Sequence, residues 1–192
     1  ILSVILSTNL TARFILLASY VVIWSVRLGW FLFTRIHNNN GVDSRFEEIK
    51  KNNFRFWMTW TLQGTWVLIC LLPVLQVSQY KTDAPFSTLD FVGMPLWIFG
   101  FTFEVIADYQ KSQFRKNPDN KGKFIDTGLW STSRHPNYFG EIVLWIGVTL
   151  IAFSLTRSWI IFITPVFVAL LLILISGIPM LEKSANERFA GD

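Results

Sequence analysis

Long apolar blocks alternate with short polar stretches along this chain, and the block lengths predict a series of membrane-crossing helices. Ile1–Leu10 is apolar from its first residue and reads as the remnant of a helix that begins upstream, so the numbered chain is expected to be N-terminally incomplete. A first complete span runs from about Thr11 to Arg35, with Arg27 inside it, and leads into the polar loop Ile36–Phe54. A second covers roughly Phe56–Val77, with Gln63, Gly64 and Pro73 as imperfections. The third starts near Leu89, reaches about Gln110 and continues as a charged helix towards Arg115. The fourth, Gly140–Leu155, is short, and the fifth is Ser158–Leu181. Roughly 20 apolar residues cross a hydrocarbon core of about 30 Å. The pattern therefore predicts an all-α, polytopic transmembrane helix bundle, a single integral membrane domain over residues 1–192, with five complete spans plus an N-terminal partial helix. Only Thr156-Arg157 separates the last two spans, which forces an antiparallel hairpin, and Trp130, Trp145 and Trp159 are candidate interfacial anchors.

Composition agrees with a lipid environment: 52% of residues are hydrophobic, 18 are Phe and 9 Trp, and 16% are charged, against about a quarter charged in a soluble domain. The distribution of the 17 basic residues adds an orientation. Thirteen of them, including Arg35, Lys50, Lys111, Arg115, Lys123, Arg134 and Arg188, fall on one side of the predicted membrane, while Arg13, Lys81 and Arg157 fall on the other. Cytoplasmic loops carry the excess of Lys and Arg, so Ile36–Phe54 and Lys116–Arg134 are expected in the cytoplasm and Ser78–Thr88 on the far side. The membrane is a bacterial inner membrane or an endoplasmic reticulum. A pI near 9.4 follows from this topology and is no argument for nucleic acid, because no soluble basic face exists to lie on a duplex. Single Cys70 and the separated His37 and His135 leave no disulfide framework and no metal site. No P-loop, glycine-rich dinucleotide fingerprint or serine nucleophile elbow is present.

The chemistry concentrates in Gly128–Glu141, which places Arg134, His135, Asn137, Tyr138 and Glu141 at the mouth of the fourth span. Pro136 suits the first turn of a helix and biases His135 away from the α region, so a helix is expected to start near Pro136. Asn137 and Glu141, four apart, then share a face beside Tyr138. The amides of that first turn favour an anion. On the third span Glu104, Asp108, Lys111 and Arg115 recur at steps of four, three and four and form one stripe. It is either a self-neutralising ladder at the membrane boundary or the lining of a cavity whose deep end is acidic and whose mouth is basic. The second reading suits a ligand with a polyanionic end outside, because Glu104 lies a turn and a half within the apolar run, where an acid should face a bundle interior or water. Arg27 either lines that cavity or pairs with Glu104 or Glu141. Asp43 and Arg45 stabilise a turn or serve the site, and Gln63 is expected to make a helix–helix hydrogen bond.

Ala107–Arg115, Gly128–Trp130 and Ser133–Glu141 resemble the C-terminal domain of steroid 5α-reductase-like membrane proteins. The nearest branch is the bacterial-type group labelled as a domain of unknown function, DUF1295, with sterol C14- and C7-reductases as cousins. Val26–Gly29, Arg35, Asp43–Phe46 and Ser176–Glu182 extend the likeness, and the reductase-like region covers about 89–183. The resemblance implies a seven-helix bundle, surrounded by membrane lipids, that binds NADPH in a cytoplasm-facing cavity and reduces an activated C=C bond of a lipid-like substrate. Position by position, Asp108, Arg115, Asn137 and Glu141 match cofactor-binding residues of the family. Lys123 lies one residue out of register with a family arginine, and Glu104 stands at a family asparagine near the nicotinamide. Arg115, Lys123 and Arg134, with Lys111 behind them, would take the phosphates. Tyr138, His135 and Glu104 are the candidate proton-handling groups, although the place of Tyr138 and His135 at the cavity mouth favours a structural or phosphate-side role over proton donation. Trp24 stands where steroid reductases carry a tyrosine that polarises the substrate carbonyl, and an indole N–H is a donor only. The alternatives are an S-adenosylmethionine-dependent methyltransferase of the isoprenylcysteine carboxyl or phospholipid type, which shares an Arg-His-Pro-x-Tyr turn, and a non-enzymatic membrane protein with a degenerate site.

Overall fold

A computed structural model of the protein describes residues 11–37, 41, 47–82 and 84–175. All regular structure among them is helical, and four helices are long and apolar enough to cross a membrane. The chain divides into two compact units, residues 1–84 and 85–192. Ile1–Leu10, Asn38–Asn40, Asp43–Phe46 and Ser176–Asp192, with the expectations placed on them, lie outside the described residues.

The first unit holds α1 (Ala12–His37), the single turn α2 (Glu47–Lys50) and α3 (Asn53–Val77). Thr11 opens α1 by accepting the Phe14 amide on its hydroxyl at 3.2 Å. Asn52 caps α3 by accepting the Arg55 amide at 3.0 Å, one of the donors that a helix start leaves without an intrahelical partner. Arg13 is fully buried and donates to the Ala84 carbonyl at 2.5 Å. Trp24 of α1 and Trp66 of α3 meet edge to face at 5.6 Å. Most of α3 is exposed, including Phe54, Trp57 and Trp60, the side chains that a helix offers to lipid rather than to a protein core. Gln63 is exposed as well, so the expected interhelical hydrogen bond is replaced by a side chain on the outer face of α3.

The second unit is built on an antiparallel pair, α4 (Thr88–Lys116) and α5 (Pro136–Thr156). Small residues at steps of seven let the two backbones touch. A Cβ on Gly100 would lie 2.6 Å from the Gly140 carbonyl, and one on Gly93 would lie 2.7 Å from the Gly147 carbonyl. In a membrane, where lipid is as apolar as leucine, such close approach supplies the van der Waals contact that holds helices together. At the far end Ser87 and Asp90 form a capping box, with the Ser87 amide donating to Asp90 at 2.7 Å. Ser154 of α5 donates to the same carboxylate at 2.8 Å, and Asp90 is fully buried. The chain then reverses at Arg157, in the left-handed region at φ 52°. It enters a 3-10 turn (Trp159–Phe162), α6 (Ile163–Leu170) and a π turn (Leu171–Ile175). These last elements form an apolar helical run, Trp159–Ile175, which overlaps the expected fifth span Ser158–Leu181 but is shorter than the four helices long enough to cross a membrane.

Two of the three tryptophans expected as interfacial anchors are turned into the protein instead. Trp145 is completely buried and Trp130 nearly so, whereas Trp159 is 74% exposed. Indole N–H groups explain the difference: Trp145 and Trp130 each donate to an acceptor inside the protein.

Candidate functional site

The expected stripe on α4 is graded by burial. Glu104 and Asp108 are buried, Lys111 is half-buried and Arg115 is exposed. The acidic end therefore lies inside the helix pair and the cationic end outside it. Glu104 owes its position to Gly140, since a Cβ there would approach the Glu104 amide nitrogen to 2.8 Å. The next residue, Glu141, is buried too, and its Oε1 accepts the Trp145 indole N–H at 2.9 Å, one turn along α5. Three buried carboxylates thus gather where α4 crosses the start of α5, an arrangement that costs several kcal/mol per ion unless hydrogen bonds and counter-charges accompany it.

The helix start falls where the Pro136 argument puts it: α5 begins at Pro136, with His135 as N-cap in a non-helical conformation. Ser133 shapes the approach by accepting the His135 amide on its hydroxyl at 3.1 Å. His135 offers no side-chain cap to the first turn. Its ring stacks instead on Tyr138, with centroids 5.3 Å apart and planes 8° from parallel. Tyr138 lies within electrostatic reach of Asp108. Asn137 is half-buried on the face it shares with Glu141, and Arg134 is exposed at the tip of the turn.

Sequence reasoning did not single out Gln110, which fastens the returning loop to α4. Its Oε1 accepts the Leu129 amide at 2.9 Å, and its side chain fills the space that a Cβ on Gly128 would need. Gly128 sits at φ 61°, where L side chains are strained. Trp130 completes the fastening by donating its indole N–H to the Ala107 carbonyl at 2.9 Å. Lys111 lies over the Trp130 ring, 4.4 Å from its centroid, within cation–π range. The signal was present in Gly128-Leu129-Trp130, a glycine followed by a large aromatic just before the polar cluster.

Lys123 is exposed and lines a depression of the connecting loop with Phe114, Asn120, Gly122, Phe124 and Asp126. Asn120 ties that loop to α4 by donating to the Phe114 carbonyl at 3.0 Å. Arg27 and Trp24 belong to the first unit, where Arg27 lies over the Phe31 ring at 5.7 Å. Among the described residues no group of three or more His, Cys, Asp or Glu could hold a metal ion.

Comparisons with known proteins give relatives at modest identity. A 3-oxo-5-alpha-steroid 4-dehydrogenase 2 from Sus scrofa is 32% identical over 94 residues, 49% of this chain and 34% of that protein. A very-long-chain enoyl-CoA reductase from Dictyostelium discoideum is 34% identical over 79 residues, 41% of this chain and 26% of the relative. A probable O-methyltransferase from Ustilaginoidea virens is 36% identical over 58 residues, 30% of this chain and 20% of the relative. The chain spans about half the length, or less, of the curated relatives it matches. No solved structure matches it. The model of the family described as "Protein of unknown function (DUF1295)" matches residues 1–192. Matched along its whole length, and with steroid 5-alpha-reductases among its relatives, the chain belongs to the DUF1295 family of steroid 5-alpha-reductase-like membrane proteins.

Proposed function

We propose that the protein is a membrane-embedded reductase that takes NADPH at the α4–α5 mouth and saturates a polarised C=C bond in a lipid-like substrate. One observation carries this reading: the stripe Glu104–Asp108–Lys111–Arg115 passes from buried acids to an exposed guanidinium along one helix. NADPH has that polarity, with its diphosphate and 2′-phosphate towards the adenosine side and an amide-bearing ring at the other end. Arg115, Lys123 and Arg134 are exposed cations suited to phosphate oxygens, and Lys111 stands behind them. Asn137 and the first-turn amides of α5 add neutral donors. Glu104, Asp108 and Glu141, buried deeper, suit the carboxamide and ribose hydroxyls. NADPH, when bound, supplies the hydride; the chain supplies orientation, exclusion of water and a proton. Tyr138, whose ring stacks on His135, is the candidate for that proton. Its relatives support the same chemistry, two of them named as steroid dehydrogenase and enoyl-CoA reductase. The mouth faces the cytoplasm in this reading, where NADPH is made.

The methyltransferase reading is favoured by one relative, the probable O-methyltransferase. A thermal-shift measurement on the detergent-solubilised protein separates the two. A ligand that binds only the native state at a hundred times its dissociation constant stabilises it by about 2.7 kcal/mol. NADPH is expected to raise the melting midpoint and S-adenosylmethionine to leave it unchanged. The reverse pattern would replace the reductase by the methyltransferase, and no shift with either would leave a non-enzymatic membrane protein.

A further inference from the structure

We propose that Gln110 and Trp130 are positioning residues, which lock the Gly128–Trp130 turn onto α4 and thereby set where Arg134 and Asn137 stand. The inference rests on the cofactor reading above, and it assigns a task to two residues which that reading leaves idle.

The geometry is that of one helical turn with two faces. Between Ala107 and Lys111, α4 presents Asp108 and Lys111 on its site-facing stripe. From the same turn, the Ala107 carbonyl receives the Trp130 indole N–H at 2.9 Å and Gln110 receives the Leu129 amide at 2.9 Å. The returning chain is therefore pinned at two successive residues to the turn that carries the stripe. Gly128 permits the approach: its φ of 61° and the Gln110 side chain, 2.6 Å from where a Cβ would stand, leave no room for another residue. Lys111 over the Trp130 face adds a second contact to that ring. From this fixed point the chain needs four residues to reach Arg134 and seven to reach Asn137. Two short bonds close it further, from the Ser131 hydroxyl to the Gly128 carbonyl at 2.7 Å and from the Thr132 hydroxyl to the Leu129 carbonyl at 2.9 Å. Loose at Trp130, the segment would let Arg134 and Asn137 wander by more than the tolerance of about 0.5 Å that a preorganised site requires.

Trp130→Phe keeps an aromatic ring for Lys111 and removes the indole N–H together with the pyrrole edge that carries it. Gln110→Met keeps most of the side-chain volume and removes the acceptor for Leu129. Each is expected to weaken NADPH binding about five- to twentyfold by isothermal calorimetry in detergent. The decisive arm is a double-mutant cycle with Asn137→Ala. If Trp130 acts through the segment bearing Asn137, Trp130→Phe in the Asn137→Ala background costs less than half the factor it costs alone. Amide hydrogen exchange without nucleotide is expected to speed up in Ser131–Asn137 and not in α4. Losses that multiply in the double variant, or single variants that bind NADPH as the parent does while exchanging normally, overturn the positioning role. A parent protein that does not bind NADPH overturns the cofactor reading instead, and accelerated exchange in Trp130→Phe would then still report the pinning itself.

Discussion

Trp145 donates its indole N–H to Glu141 Oε1 at 2.9 Å, and both residues are buried. The bond turns an aromatic side chain that composition would assign to the membrane interface into a partner for a buried carboxylate. Trp145→Phe keeps most of the ring and removes the donor. A hydrogen bond to a charged group contributes roughly 1.5–3 kcal/mol, so the variant is expected to melt lower in a denaturant series by that amount. Trp159→Phe, on an exposed ring, should change stability by less than about 0.5 kcal/mol. Equal effects would mean that Trp145 matters only by its bulk.

Gly100→Ala and Gly140→Ala should both be destabilising, because each new methyl meets backbone of the facing helix at 2.5–2.6 Å. Overpacking of this kind costs about 1–3 kcal/mol. Gly64→Ala is the contrasting case: nothing lies within 4 Å of its added Cβ, and alanine is favoured in a helix interior by roughly 0.5–1 kcal/mol. The opposite signs can be read from thermal midpoints of the three proteins in the same detergent.

Arg115→Ala should reduce NADPH affinity by roughly 1.5–3 kcal/mol, the value of a charge-assisted hydrogen bond. Arg115→Lys should restore part of it, since an ammonium lacks the planar fork. Lys121→Ala, an exposed cation of the connecting loop, controls for the general field of the basic face. Identical losses for Arg115→Ala and Lys121→Ala would reduce the site to that field.

Sidedness can be tested at the two ends of α4. In a Cys70→Ala background, Lys121→Cys should react with an impermeant maleimide from the cytoplasmic side and Thr88→Cys from the other. Both positions are exposed. Labelling of both from one side would rule out α4 as a crossing helix.

Much of this was legible in the chain because hydropathy and proline act locally. The start of α5 at Pro136 and the burial gradient from Glu104 to Arg115 follow from spacing within single helices. What pairs one helix with another was harder to read. Gly93 and Gly100 on α4, and Gly140 and Gly147 on α5, carry the same step of seven, yet only the antiparallel register shows which glycine meets which. The roles of Trp130 and Trp145 were misjudged for a related reason: an indole seeks an acceptor for its N–H as well as an interface, and the acceptors were a backbone carbonyl 23 residues away and a glutamate one turn away.

The length of α4 has a kinetic consequence. At about 1.5 Å per residue, its 29 residues extend roughly 44 Å, while the hydrocarbon core takes about 30 Å. Some three turns therefore stand in headgroups and water, and the charged Asp108–Lys116 end of the helix occupies them. A water-soluble molecule can dock there and leave without partitioning into the bilayer, while a hydrophobic one can reach the lower part of the same helix by lateral diffusion. Under the reductase reading the nucleotide and the lipid would arrive from two phases, and a substitution at the charged end of α4 would change the exchange rate of the first and not of the second.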